Sequence, residues 1–85
     1  MTVALQLPGG KAARLVALDD DRISLMSEQA FAPGSRVEAT ALGRTLRFKV
    51  HRSVRGDEGF AIEGRPLDLT REARDFFTAA LLGAG

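Results

Sequence analysis

The chain has 85 residues, 12 Lys+Arg against 11 Asp+Glu, one His and no Cys. That length makes one domain, residues 1–85, and the 45% hydrophobic and 27% charged composition is that of a folded globular chain rather than a disordered one. The missing Cys removes disulfides, thiolate metal sites and Cys nucleophiles. No apolar run approaches the roughly 18–20 residues that span a bilayer, and the first ten residues lack the basic start of a secretory signal. A cytoplasmic location without membrane insertion is the expectation. A chain this short buries only about 60–65% of its unfolded surface, so an external binding face suits it better than a deep pocket.

In chain order, Thr2–Leu7 alternates Val3, Leu5 and Leu7 with Thr2, Ala4 and Gln6, the period of a strand. Pro8-Gly9-Gly10 is a turn. Lys11–Leu18 is the next strand, with Leu15 and Val16 on opposite faces, and Asp19-Asp20-Asp21 forms an exposed hairpin tip. Arg22–Ser27 resumes the alternation through Ile23 and Leu25. A short loop leads to Phe31, and Ala32-Pro33-Gly34-Ser35 is a second turn. Arg36–Leu42 is a strand, Gly43 marks a tight turn, and Arg44–Val54 is the longest strand. Its Leu46, Phe48 and Val50 share one face, and Thr45, Arg47, Lys49 and His51 share the other. Strict counting puts Arg52 on the apolar face, so a bulge is expected near it. Arg55–Gly59 is a turn and Phe60–Glu63 a last short strand.

The period then changes. Leu69, Ala73, Phe76, Phe77, Ala80 and Leu81 fall on one helix face, with Asp68 or Thr70 as N-cap and Gly83 beyond the end. Arg71 and Asp75 are placed four apart to pair weakly. Of the adjacent Phe76 and Phe77, one belongs to the core and the other is free for a contact surface. The predicted fold is mainly β: a small six-stranded antiparallel β-barrel followed by a C-terminal α-helix.

Few residues invite chemistry. The Asp19–Asp21 run offers hard oxygen ligands, but adjacent side chains cannot all converge on a cation, so a solvated turn is the preferred reading. His51 has Lys49 and Arg52 as neighbours instead of the acid and nucleophile of a triad. No catalytic residues, cofactor or metal site are expected, and the chain is not expected to be an enzyme. Residues 43–55 carry Arg44, Arg47, Lys49, Arg52 and Arg55 without an acid. That strand can track phosphates, form a charged outer face paired with Glu38 or Glu63, or meet an acidic protein. Without Trp or Tyr to stack on bases, nucleic acid ranks below the other two.

Strand order and turn spacing over nearly the whole chain resemble a PilZ domain. The resemblance rests on "ARLVALDDDRISLMS", "FAPGSRVEATAL", "RTLRFKVHRSV", "GFAIEG" and "LTREARDFFTAALL" in that order. It implies a six-stranded barrel with a C-terminal helix. It also implies two cyclic di-GMP signatures, an Arg-x-x-x-Arg before the barrel and an Asp/Asn-x-Ser-x-x-Gly on an early strand. The first occurs nowhere in this chain. The second should fall at Ala17–Arg22, where Ala17, Asp19 and Arg22 replace the acid, the Ser and the Gly. Each carboxylate there repels a nucleotide phosphate by about 1 kcal/mol in high dielectric. The resemblance is therefore to a degenerate member. It implies an adaptor that contacts a protein partner in bacterial motility, pilus or chemosensory regulation, with Arg47, Lys49 and His51 as the expected contact. An altered cyclic di-GMP site on Lys11, Arg14 and Arg22 is the alternative, and a nucleic-acid-binding barrel the second. A homodimer through an exposed strand edge or helix face stays open.

Overall fold

A computed structural model describes residues 2–83. The apolar alternation builds six strands: β1 (Val3–Gln6), β2 (Ala12–Leu18), β3 (Ile23–Ser27), β4 (Arg36–Ala41), β5 (Arg44–Gly56) and β6 (Gly59–Leu67). They close into an antiparallel barrel in the order β1-β2-β3-β6-β5-β4, with a helix, α1 (Arg71–Leu81), after the last strand. The strands point most of their apolar residues inward, with Val16 of β2 and Val54 of β5 left outside. Leu15, Ile23, Leu25, Leu46, Phe48, Val50 and Ile62 are fully buried there, each stabilising the fold by roughly 1.5–3 kcal/mol. The seam is narrow, since β1 meets β4 through the single pair Gln6↔Thr40. β1 stops there because Pro8 opens a short 3-10 turn, Pro8–Gly10. Among the described residues no helix is long and apolar enough to cross a membrane.

One expected boundary moves. The last strand does not stop at Glu63 but runs on through Arg65 and Pro66 to Leu67. A proline argues against a strand because it has no N–H to donate. Here β3 stops pairing with β6 at Gly64, so at Pro66 only β5 lies alongside. The bulge expected near Arg52 is present, at His51: Val50 faces Gly64, Arg52 faces Glu63, and His51 has no partner. Both His51 and Arg52 consequently lie outside, and the next inward position is Ser53, half-buried. Beside the bulge the two strands lie close, and a Cβ on Gly64 would overlap the Lys49 carbonyl oxygen.

The helix closes one end of the barrel. Thr70 is its N-cap, its Oγ1 accepting from the Ala73 N–H at 3.1 Å. Phe77 is the buried member of the aromatic pair, wholly inaccessible within the core. Phe76 packs on it edge-to-face at 5.3 Å and is covered by the Arg44 guanidinium, 4.1 Å above its ring. Arg44 also pairs with Glu72, tying the start of β5 to the first helical turn. Asp75 pairs with its neighbour Arg74 at 3.2 Å and not with Arg71.

The β4–β5 hairpin turns on Leu42 and Gly43, both at positive φ (53° and 78°), the geometry that favours Asn-Gly. A leucine is strained there, and its side chain is 62% exposed. Leu42→Asn should raise unfolding stability in urea by about 1 kcal/mol; an unchanged or lower midpoint would contradict the strain. Gly64→Ala, in contrast, should cost about 1–3 kcal/mol in the same measurement, the usual penalty for forcing an atom into a packed site.

Candidate functional site

The turn between β2 and β3 is closed by the Asp19 N–H donating to the Arg22 carbonyl at 2.8 Å. Its middle carboxylate is committed. Both oxygens of Asp20 accept from Arg74 Nη1 on the helix, at 2.7 and 2.9 Å. The hydrogen bond to Asp20, then that to Asp75, raises the Arg74 pKa above its already high ordinary value, so the guanidinium is charged at every working pH. Residues 19–22 thus form a carboxylate turn held against the protein's own helix.

Lys11, Arg14 and Arg22 do not converge. Lys11 precedes β2 and Arg22 follows the turn at its far end, so the length of a seven-residue strand, roughly 20 Å, separates them. Arg22 Nη2 lies 3.5 Å from Glu63. Arg14 Nη2 lies 3.9 Å from Glu58 and lines a shallow groove of about 260 Å³ with Ala12, Met26, Ser27, Glu28 and Glu58. Two carboxylates beside one guanidinium leave that groove unsuited to a phosphodiester.

Arg47, Lys49 and His51 do share the outer face of β5, but they differ in availability. Arg47 Nε donates to Glu38 Oε2 at 2.9 Å, and this bond is the main reason its pKa is raised. His51 is the unpaired residue of the bulge. Arg52 Nη2 shares Glu63 Oε1 with Arg22, at 3.5 Å each. The expected pairing of the outer face through Glu38 and Glu63 is therefore present. Lys49 alone of the three stands in a strictly cationic setting, directly opposite Arg36 on β4 and Arg65 on β6. Sequence reading missed those two. In the sequence Arg36 is one more polar position at the start of a strand, and Arg65 lies beyond the Phe60–Glu63 run. Only the cross-strand register brings them together.

No family model, curated protein or solved structure matches this chain. Three faces differ in their chemistry. One is a hairpin tip with its central acid already occupied, one an acid-flanked groove beside Arg14, and one a bare cationic row on β4–β6.

Arg74→Gln should release the tip from the helix. Amide exchange at 19–22 should quicken several-fold in hydrogen–deuterium exchange while the thermal midpoint barely moves, because exposed ion pairs contribute little to global stability. Unaltered exchange there would mean the pair does not hold the turn.

Proposed function

We propose that this chain is a non-enzymatic, PilZ-like adaptor that acts in the cytoplasm by contact with a protein partner and does not take up cyclic di-GMP. The reading starts from the resemblance in strand order and gains support from a barrel-plus-helix architecture of the kind that resemblance implies. The observation that carries it is the Asp20–Arg74 tie. At the segment where a nucleotide-binding relative would offer small and polar groups to the ligand, this chain offers acids, and one of them holds down its own helix. Asp19 and Asp21 add negative charge on either side, so a doubly anionic ligand approaching that hairpin meets repulsion from both.

The competing nucleotide site needs Lys11, Arg14 and Arg22 to grip one molecule, and their separation along the β2–β3 hairpin argues against it. An acid–base role for His51 finds no support either, since its sequence neighbours on the exposed bulge are cationic or apolar. A regulatory place in motility, pilus assembly or chemosensing follows from the resemblance and is part of the proposal.

Isothermal titration with cyclic di-GMP at low ionic strength should give no saturable heat. Saturable binding in the low-micromolar range would overturn the reading, and its loss in Arg14→Ala or Arg22→Ala would restore the altered-site alternative.

A further inference from the structure

Three cations cross the barrel wall at right angles to its strands. Arg36, Lys49 and Arg65 are register partners on β4, β5 and β6, and all three are exposed. With strands about 4.8 Å apart, the row is roughly 10 Å long. Like charges directly opposite one another destabilise a sheet. Among the described residues none of the three has a carboxylate within ion-pair distance, while each flanking row holds a paired carboxylate. Glu38 pairs with Arg47 on one side, and Glu63 pairs with Arg52 and Arg22 on the other. Acids are therefore present in the same sheet, two residues away along the strands, yet the middle row is left bare. An arrangement that costs stability and has a simple remedy in sequence points to an anionic occupant.

The flanking carboxylates restrict what that occupant can be. An anion chain running along the strands would pass from the row onto cations already held by Glu38 or Glu63, whereas an occupant lying across the strands meets the three unpaired cations alone. Single-stranded nucleic acid gains much of its binding from aromatic platforms. Here Phe48 and Phe77 are fully buried, and Phe31, Phe60 and Phe76 pack against the core. Carboxylates three or four residues apart on one face of an α-helix are about 5–6 Å apart, close to the strand spacing beneath them. Same-side residues of an extended strand are about 6.6 Å apart and match it less well.

We propose that the Arg36–Lys49–Arg65 row is the docking site for an acidic α-helix of a protein partner, laid across β4, β5 and β6 with Asp or Glu at i, i+4 and i+7 or i+8. The assignment rests on the reading of the chain as a protein-contact adaptor and names the chemistry of its partner. Arg contributes planar forks at both ends of the row and Lys a point charge at its centre.

The experiment is an NMR titration of the full ¹⁵N-labelled chain at low salt with three probes. The first is a helical Ala/Gln peptide bearing three Glu on one face, the second the same composition with Glu spread around the helix, and the third oligo(dT). The one-face peptide should shift amides of β4–β6 around 36, 49 and 65, bind at least about tenfold more tightly than the scattered peptide, and weaken with salt. Arg36→Glu and Arg65→Glu should each abolish that binding. Arg55→Gln and Arg71→Gln, two other cations without an ion-pair partner among the described residues, should leave it intact. Equal affinity for both peptides, tighter binding of oligo(dT) at the row, or no peptide binding would each overturn the docking site. Peptide binding confined to another face would overturn it while sparing the adaptor reading. That reading fails separately, if cyclic di-GMP binds.

Discussion

A six-stranded barrel this small is filled by its own side chains, but a closed wall still leaves its interior accessible at the ends. At one end of this chain that opening is covered by Phe77, wholly buried on the inner face of the terminal helix. Burying a ring of this size is among the larger single contributions available to an 85-residue fold. It also sets how the helix is turned about its axis, and several polar contacts depend on that rotation. With Phe77 facing in, Phe76 lies at the rim beneath the Arg44 guanidinium, Glu72 faces Arg44, and Arg74 reaches the β2–β3 turn. These exposed ion pairs hold little energy individually. They are consequences of the apolar plug and they align the helix over the hairpin.

A second constraint acts on the β5–β6 wall. The bulge at His51 shifts β5 by one residue against β6, and Gly64 supplies the space for the close approach. Without that shift Arg52 would point into the core and the strand could not continue as it does. With it, Arg52 reaches Glu63, and the β5 cations separate into Arg44, Arg47 and Arg52, each paired with an acid, and Lys49 and Arg55, which have no ion-pair partner among the described residues; of these two, Lys49 alone faces a cation on each neighbouring strand. One inserted residue thereby sorts which charges remain available to a partner.

The two faces that attracted attention in the sequence have opposite characters in three dimensions. The acidic turn looked open and has its central carboxylate occupied by Arg74. The basic strand looked uniformly charged, yet Arg47 and Arg52 are paired and the cationic character moves sideways, across strands, to Arg36 and Arg65. Net charge hides this entirely. At +1 the chain is almost neutral, and its binding potential depends on where the unpaired charges gather.

Much of the architecture was legible from residue order alone. Period-two alternation located the strands, Pro-Gly pairs and Gly43 marked turns, and the change to a 3–4 residue spacing located the helix and its apolar face. These patterns are local, because each residue's side is decided by its immediate neighbours along the chain. The full length of β6 was not legible, since Pro66 reads as a strand breaker until β3 is seen to stop short of it. Nor was the choice between Phe76 and Phe77, which depends on how the helix sits on the barrel. The row of Arg36, Lys49 and Arg65 was the least visible feature. Its members lie 13 and 16 residues apart in sequence, and they meet only because strand register, corrected by one bulged residue, sets them side by side. Register is a property of paired strands, and no single strand contains it.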